Sequence, residues 1–419
     1  MELEKARELT LQLARPAGVE WLWLDDALGR VLALDIKAER SLPSNPRSLF
    51  DGYALGGEHT RRDPGIGLVQ LDLEPGLLAA GDFREGPLGP GQCIRVLTGA
   101  SLPGGCDAVI PEEETLPGGD RVEIRGPVSP GFGILPAGSD VREGDTLLTR
   151  GCFLTPSRLA MLVAVGVTRA PVFRRPAVAV LATGDEVVEL GESAGKSGIF
   201  CNNRYLLSWL AGLYGAEVVQ LGTSPDDPRI IAARLEEARA DVLITTGGTG
   251  RGERDCVSRV WQMLGVEPLF RQLNVSPGRN ASLGMRDRNV FWGLPGNPWA
   301  AQFVFEELIA PMLRRFQGVP NPGPFELPGR TTRRMIKKKG FHKAVRGGLR
   351  LQEDVLYFEP LETGAGSTFA NIRDHFAYTL LGPDVVEVPA GSSIRIRAHD
   401  LPCLPLQWLD SIGLRGRAV

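Results

Sequence analysis

The chain has 419 residues, 43% hydrophobic and 23% charged, a composition that excludes a disordered or fibrous protein and leaves room for two to four domains. With 47 basic and 50 acidic residues the net charge is −3, which argues against a protein dominated by nucleic-acid binding. Apolar runs such as residues 159–167 are too short to span a bilayer, and the charged residues of the N-terminal segment deny it a signal peptide's apolar core, so a cytoplasmic protein without membrane contact is expected.

In chain order, Ala6, Leu9 and Leu13 recur at helical spacing and Pro16 ends that segment. The apolar, alanine-containing stretch 24–36 also reads as helix, against the preference of Gly29. From about residue 42 to 130, short β-like runs (68–73, 93–97, 107–110, 122–124) alternate with Gly/Pro turns, which predicts a small β-rich domain. Residues 157–165 read as a buried helix, so the β-rich segment is expected to be an insertion in a helical domain. From Pro176 the rhythm becomes strand–loop–helix: strands at 178–181, 218–221, 242–246 and 290–294, helices at 202–213, 228–239, 255–264 and 298–316. Such alternation predicts a parallel sheet covered by helices, with ligands at the C-terminal ends of its strands. Prolines 320, 322, 324 and 328 mark a linker, and strand-like runs at 355–358, 378–381, 385–388 and 394–396 predict a terminal β-barrel.

The loop Thr245-Thr246-Gly247-Gly248-Thr249-Gly250-Arg251-Gly252-Glu253-Arg254-Asp255 follows a buried strand and opens a helix. Glycines there admit a close ligand, and free N–H groups with a helix N-terminus favour a phosphate. A tight strand–helix connection alone would account for the glycines equally well, and Asp255 has a helix-cap reading beside a ligand reading. Asp185, Glu186, Asp226 and Asp227 fall at other strand ends; grouped beside a phosphate they suit Mg²⁺. Taken alone, Asp226 and Asp227 read more simply as acidic loop residues. Six cysteines, at 93, 106, 152, 201, 256 and 403, have no zinc-ligand spacing, and no catalytic cysteine is assigned.

Six segments then resemble, in order, the signatures of the molybdopterin molybdenumtransferase family, to which the gephyrin E domain belongs. They are residues 24–33 with Asp35-Ile36; Ser48-Leu49-Phe50-Asp51-Gly52-Tyr53-Ala54; Leu97-Thr98-Gly99-Ala100-Ser101-Leu102-Pro103 leading to Cys106-Asp107-Ala108-Val109; Gly138-Ser139-Asp140-Val141; Thr183-Gly184-Asp185-Glu186; and Leu294-Pro295-Gly296-Asn297-Pro298. The resemblance implies an elongated four-domain chain: helical domain I (1–41 with 131–175), inserted β-rich domain II (42–130), α/β molybdopterin-binding domain III (176–324) and β-barrel domain IV (325–419). It implies a homodimer, adenylylated molybdopterin and molybdate as substrates, Mg²⁺ as cofactor and AMP as a product, with contacts to the adenylyltransferase and to apo-molybdoenzymes. Asp51, Asp140, Glu186 and Asp255 are the implied catalytic residues, and Glu186, Asp227 and Asp255 the implied metal ligands. Thr98, Gly247, Gly248, Thr249, Arg279, Pro295, Pro298, Arg346 and Ser367 are implied in substrate binding, with Arg346 and Ser367 on molybdate. Asp51, Thr98 and Asp140 of one subunit are expected to face Glu186, Asp227 and Asp255 of its partner.

Two segments depart from the family pattern. Its lysine-containing Lys-Pro-Gly-Lys-Pro motif reads Ser276-Pro277-Gly278-Arg279-Asn280, so one cation is lost and the other becomes an arginine able to grip an oxyanion bidentately. The 247–255 loop resembles that of the related pterin-adenylyltransferase domain, and Arg251 or Arg254 are candidates to replace the missing charge. The basic run 333–343 reads either as a source of oxyanion attraction or as a solvated face. Three rivals stay open: an adenylyltransferase, a tungstate-inserting enzyme and a non-catalytic dimeric scaffold.

Overall fold

The computed structural model describes residues 1–16, 18–60, 68–248, 256–361 and 377–398. Two compact units form, one of residues 21–172 and one of residues 1–20 with 173–419. The chain opens with helix α1 (Leu3–Leu13), whose Leu3 and Ala6 are fully buried in the core of the second unit. They lie there with Leu308 and Met312, so α1 joins the C-terminal part of the chain rather than the segments 21–41 and 131–172.

In the unit 21–172 the expected helix at 24–36 does not form. A 3-10 turn at Leu24–Asp26 is followed by Gly29 at φ +73°, a left-handed turn that ends the helical path. Val31 and Leu32 then bridge Phe153 and Val172. Tertiary pairing overrides local propensity here, because it buries Ala27 and Leu32 against Leu154 and Leu162. The β-rich segment is a six-stranded sheet: β1 (Gly52–Leu55), β2 (Val69–Leu78), β3 (Gln92–Val96), β4 (Ala108–Pro111), β5 (Thr115–Gly118) and β6 (Arg121–Ile124), in the order β4-β1-β3-β2-β6-β5. All its neighbours are antiparallel except β2 and β3. Helix α2 (Pro156–Ala164) starts at Thr155, whose hydroxyl accepts from the Arg158 N–H. It is less buried than its sequence suggested: only Leu162 is fully covered and Val163 is 60% exposed.

The second unit carries β7 (Ala177–Thr183), α3 (Asn202–Leu213), β8 (Glu217–Ser224), α4 (Pro228–Glu237), β9 (Val242–Thr246), α5 (Cys256–Leu264), β10 (Glu267–Phe270), β11 (Ser282–Arg286) and β12 (Asn289–Leu294). The sheet order is β8-β7-β9-β12-β11-β10. Its first four strands are parallel, but β11 and β10 add antiparallel edges that the sequence did not announce. Both faces are covered: Val178 and Val180 join one core, Ala179 and Leu181 the other, as the period of two requires. Residues 298–316 then form one helical run, α6 (Pro298–Val304), a π turn (Phe305–Ile309) and α7 (Ala310–Phe316). Pro311 has no N–H for the carbonyl four residues back, at Glu307, and the wider turn sits where that bond is missing.

The terminal domain is a closed barrel of β13 (Glu326–Thr331), β14 (His342–Gln352), β15 (Val355–Pro360), β16 (Ala377–Leu381) and β17 (Ser393–Ala398). The circuit runs β14-β15-β13-β17-β16 and back to β14, around Leu349, Phe358, Ala377, Leu381 and Ile396. β14 and β15 meet in a two-residue turn with Glu353 and Asp354 both at positive φ, 47° and 63°, the twist-matched hairpin geometry. The strand Val275–Ser276 of the α/β part pairs in parallel with His342 and Lys343 of β14.

Candidate functional site

Three groups of side chains have the character of a site. In the unit 21–172, Ser48 folds back on Phe50, its hydroxyl accepting from the Phe50 N–H at 3.2 Å. This turn delivers Asp51 to the start of β1. Gly52 follows because a Cβ there would stand 2.0 Å from the Ile110 carbonyl oxygen of the adjacent strand. Exposed Asp51 accepts from the Thr98 backbone N–H at 2.7 Å and from the Thr98 hydroxyl at 2.8 Å. Those two bonds, with Arg95 nearby, hold its carboxyl below the usual range, so it is a fixed anion at neutral pH. The structure thus brings together Asp51 and Thr98. Asp140 is exposed on the 138–141 loop, its N–H donating to the Leu42 carbonyl at 3.1 Å.

The second group rims the C-terminal ends of the parallel strands. β9 ends in Thr245 and Thr246, and Gly247 follows at φ +100° with its Cβ position 2.2 Å from the Thr183 carbonyl oxygen, so only glycine lets β7 and β9 close this tightly. The Thr246 hydroxyl donates to the Pro295 carbonyl at 3.3 Å, and the Asn297 side chain caps α6 by accepting from the Ala300 N–H. Buried Asn203 ties these loops together. Its amide donates to the Thr246 hydroxyl at 3.0 Å and to the Gly296 carbonyl at 2.8 Å. In the sequence Asn203 stands only near the start of the helix predicted at 202–213; nothing local betrays partners 43 and 93 residues away.

Asp185, Glu186 and Asp226 share this rim, with the Asp226 N–H donating to the Asp185 carboxylate at 3.1 Å. Burial, together with the charges of Asp185 and Glu186, pushes the Asp226 carboxyl up. Asp227, an expected ligand, is also the N-cap of α4, one oxygen of its carboxylate accepting from the Arg229 N–H at 2.8 Å. Asp226 feels the charge of Glu186. Thr249, Arg251, Arg254, Asp255 and Ser367 lie outside the described residues.

The third group lines a pocket of about 660 Å³ against the barrel. Arg333, Arg334, Lys343 and Arg346 bring four cations to it, with Ser276, Pro277 and Trp299 on the α/β side. Arg346 is buried; its guanidinium lies 4.1 Å from the centre of the Trp299 ring and donates to the Gln302 side chain at 3.2 Å. Arg333 and Arg334 also pair with Glu359 and Glu387. Arg279 is exposed and is not among the lining residues. Burial pushes the Cys93 and Cys106 thiols up to about 12, so both stay protonated at neutral pH.

Comparison with known proteins shows the family. Residues 1–166 match the model of the MoeA N-terminal region (domain I and II), and residues 179–315 match a probable molybdopterin binding domain. The molybdopterin molybdenumtransferase of Haemophilus influenzae is 33% identical over 76% of this chain and 78% of its own length. The chain belongs to the molybdopterin molybdenumtransferase family. The Bacillus subtilis enzyme of that name is 29% identical over 90% of this chain and 89% of its own. A solved molybdopterin biosynthesis MoeA protein from Pyrococcus horikoshii superposes with a TM-score of 0.84 at 28% identity, covering 95% of this chain and 98% of that one. These molybdopterin molybdenumtransferase relatives span both units, so the α/β sheet, the β-rich sheet and the terminal barrel are those of the family. Its members act in molybdenum cofactor biosynthesis, and this chain is such an enzyme.

Proposed function

We propose that the chain inserts molybdate into adenylylated molybdopterin and releases AMP. The observation that supports this most is the cationic pocket at Arg346, in the same unit as the glycine-bearing rim at Gly247. Molybdate is a dianion, and the pocket offers it guanidinium and ammonium groups and little competing carboxylate beyond Glu359 and Glu387. The glycine-rich sequence 247–255 suits a phosphate, and Asn203 holds the start of that loop to Gly296 through Thr246 and its own amide. The two dithiolene thiols of the pterin then bond to molybdenum as one molybdate oxygen leaves as water with both thiol protons, and a second water adds to the anhydride phosphorus as its bond to the departing AMP breaks.

Among the described residues no three-ligand metal cage is preformed. The donor set Asp185, Glu186 and Asp226 nevertheless fits Mg²⁺, which takes one or two carboxylates and completes its shell with water and substrate phosphates. Bound there, the ion would offset negative charge at the anhydride. Asp51, Asp140 and Thr98 act on the same substrate in a homodimer whose subunits share their sites. The substrate is an adenylylated pterin and the product a metal-loaded one, so an adenylyltransferase that supplies the first and apo-molybdoenzymes that accept the second are the expected partners.

The test is incubation of the chain with adenylylated molybdopterin, Mg²⁺ and molybdate, reading AMP release and reconstitution of an apo-molybdoenzyme. AMP release that depends on molybdate is expected; absence of both readouts would overturn the proposal. The 247–255 loop sequence favours one second reading, adenylylation of molybdopterin with ATP, which the same mixture tests when ATP and free molybdopterin replace the adenylylated substrate. Tungstate in place of molybdate tests the remaining alternative.

A further inference from the structure

Behind the cationic pocket lies a buried carboxylate that the proposed reaction does not use. Glu307, in the π turn, is completely buried. It accepts from the Tyr378 hydroxyl at 2.5 Å and from Arg397 at 2.5 Å, and it pairs with Arg7 of α1. A buried anion this fully partnered fixes what it touches. What it fixes leads to the pocket. The Tyr378 ring packs edge-on against Trp299 (centres 5.9 Å apart, planes at 70°) and Phe303 (5.7 Å, 81°). Trp299 and Phe303 contact each other at 5.9 Å and 64°. The indole so wedged is the surface on which the Arg346 guanidinium lies. Tyr378 is also the direct cross-strand partner of Arg346. Two independent connections, one through the sheet and one through the aromatic triad, therefore join Tyr378 to the pocket arginine.

We propose that Glu307 and Tyr378 are positioning residues for the oxyanion pocket, setting the plane of Trp299 and through it the orientation of the Arg346 guanidinium. The inference rests on the reading of this pocket as the oxyanion site. A guanidinium held 4.1 Å over an indole and bonded to Gln302 is restrained in one place at the pocket rather than swept through rotamers. The hydroxyl-to-carboxylate bond ties that geometry to the π turn and to α1. Loss of the bond leaves every pocket-lining side chain in place but lets the platform rock.

The experiment is a double-mutant cycle read by calorimetric titration of the full chain with sodium molybdate. Tyr378→Phe keeps the ring and removes only the hydroxyl. It is expected to weaken molybdate binding roughly three- to tenfold, the size of an ordinary net hydrogen-bond contribution, because only part of the lost bond is passed on to the pocket. Arg346→Lys keeps a cation but not the flat group that lies on Trp299, and in that background Tyr378→Phe should change molybdate binding less than about twofold. In turnover, Tyr378→Phe should raise the half-saturating molybdate concentration and leave that of the adenylylated pterin unchanged. Equal weakening in both backgrounds, or none in either, would overturn the relay while leaving the pocket reading intact. If Arg346→Ala binds molybdate like the parent chain, the pocket reading itself falls and the relay with it. Glu307→Gln approaches the same bond from the other side and should reproduce the Tyr378→Phe pattern.

Discussion

Asp51 and Glu307 are both carboxylates held below their usual range, in opposite surroundings. Asp51 is exposed, and two donors from Thr98 suffice. Glu307 is fully buried, where desolvation drives a carboxyl up; the charges of Arg397 and Arg7 and the Tyr378 hydroxyl reverse that and bring it down. One anion is kept available to solvent and substrate, the other sealed away from both. The difference separates function from architecture: an exposed, prepared anion costs the fold little to change, whereas a sealed one leaves its cations stranded when removed.

The largest effect is expected at the sealed anion. Glu307→Ala should destabilise the chain by about 3–5 kcal/mol, because Arg397 and Arg7 lose a buried partner. Urea unfolding checks this; a midpoint like the parent's would break the contrast. Asp51→Asn should do the reverse, lowering AMP release by about 100-fold or more if it acts on charge in the transition state, with an unchanged melting temperature. Equal loss of melting temperature and activity would place Asp51 with Glu307.

A subtler test uses the shared site. Asp51→Ala and Glu186→Ala should each be inactive alone, and co-expressed they should recover roughly a quarter of parent activity, since about half of randomly assorted dimers carry one intact site of two. No recovery, with mixed dimers verified by mass, would confine each site to one subunit. For pH the sign follows from a lowered carboxyl: Glu307 contributes its full stability above the ordinary value of 4.5, and loses it as pH falls from there through the lower folded value. The stability gap between the parent and Glu307→Gln should be flat near neutrality and narrow only below that value, as urea midpoints across the acid range would record. The smallest effect is expected at Arg279, exposed and outside the pocket lining. Arg279→Ala should shift molybdate affinity by no more than about twofold, as for an ordinary surface substitution; a tenfold loss would move the oxyanion site toward it.

The buried strands of the α/β sheet were legible because they are continuous apolar runs, and four of the six signatures marked loops at the Asp51–Thr98 turn or at the strand ends of the α/β sheet. Strand β14 was missed because it alternates Lys343, Arg346 and the Gly347-Gly348 pair with its apolar residues, and its inward face is apparent only once the barrel closes. The helix expected at 24–36 failed for the converse reason: its apolar spacing serves bridges to Phe153 and Val172, over 100 residues on. Asp226 and Asp227 are neighbours that sequence cannot rank; the structure distinguishes them by the cap that Asp227 gives α4 and the bond from the Asp226 N–H to Asp185. Glu306 and Glu307 stood in plain view as two acids inside an apolar helix, but the partners that explain Glu307 are 71, 90 and 300 residues away.

The docking of α1 has a consequence for synthesis. Its Leu3 and Ala6 belong to a core whose other members include Leu308 and Met312, and Arg7 answers a charge at Glu307. On the ribosome α1 must therefore wait, its apolar stripe uncovered, while the roughly 300 residues between Arg7 and Glu307 are added. The unit 21–172 completes its own chain in the meantime, whereas the unit that needs α1 closes late. Growth of the polypeptide thus leaves the N-terminal helix as an early ward of whatever holds nascent apolar segments, and its capture by the π turn as one of the last events in folding.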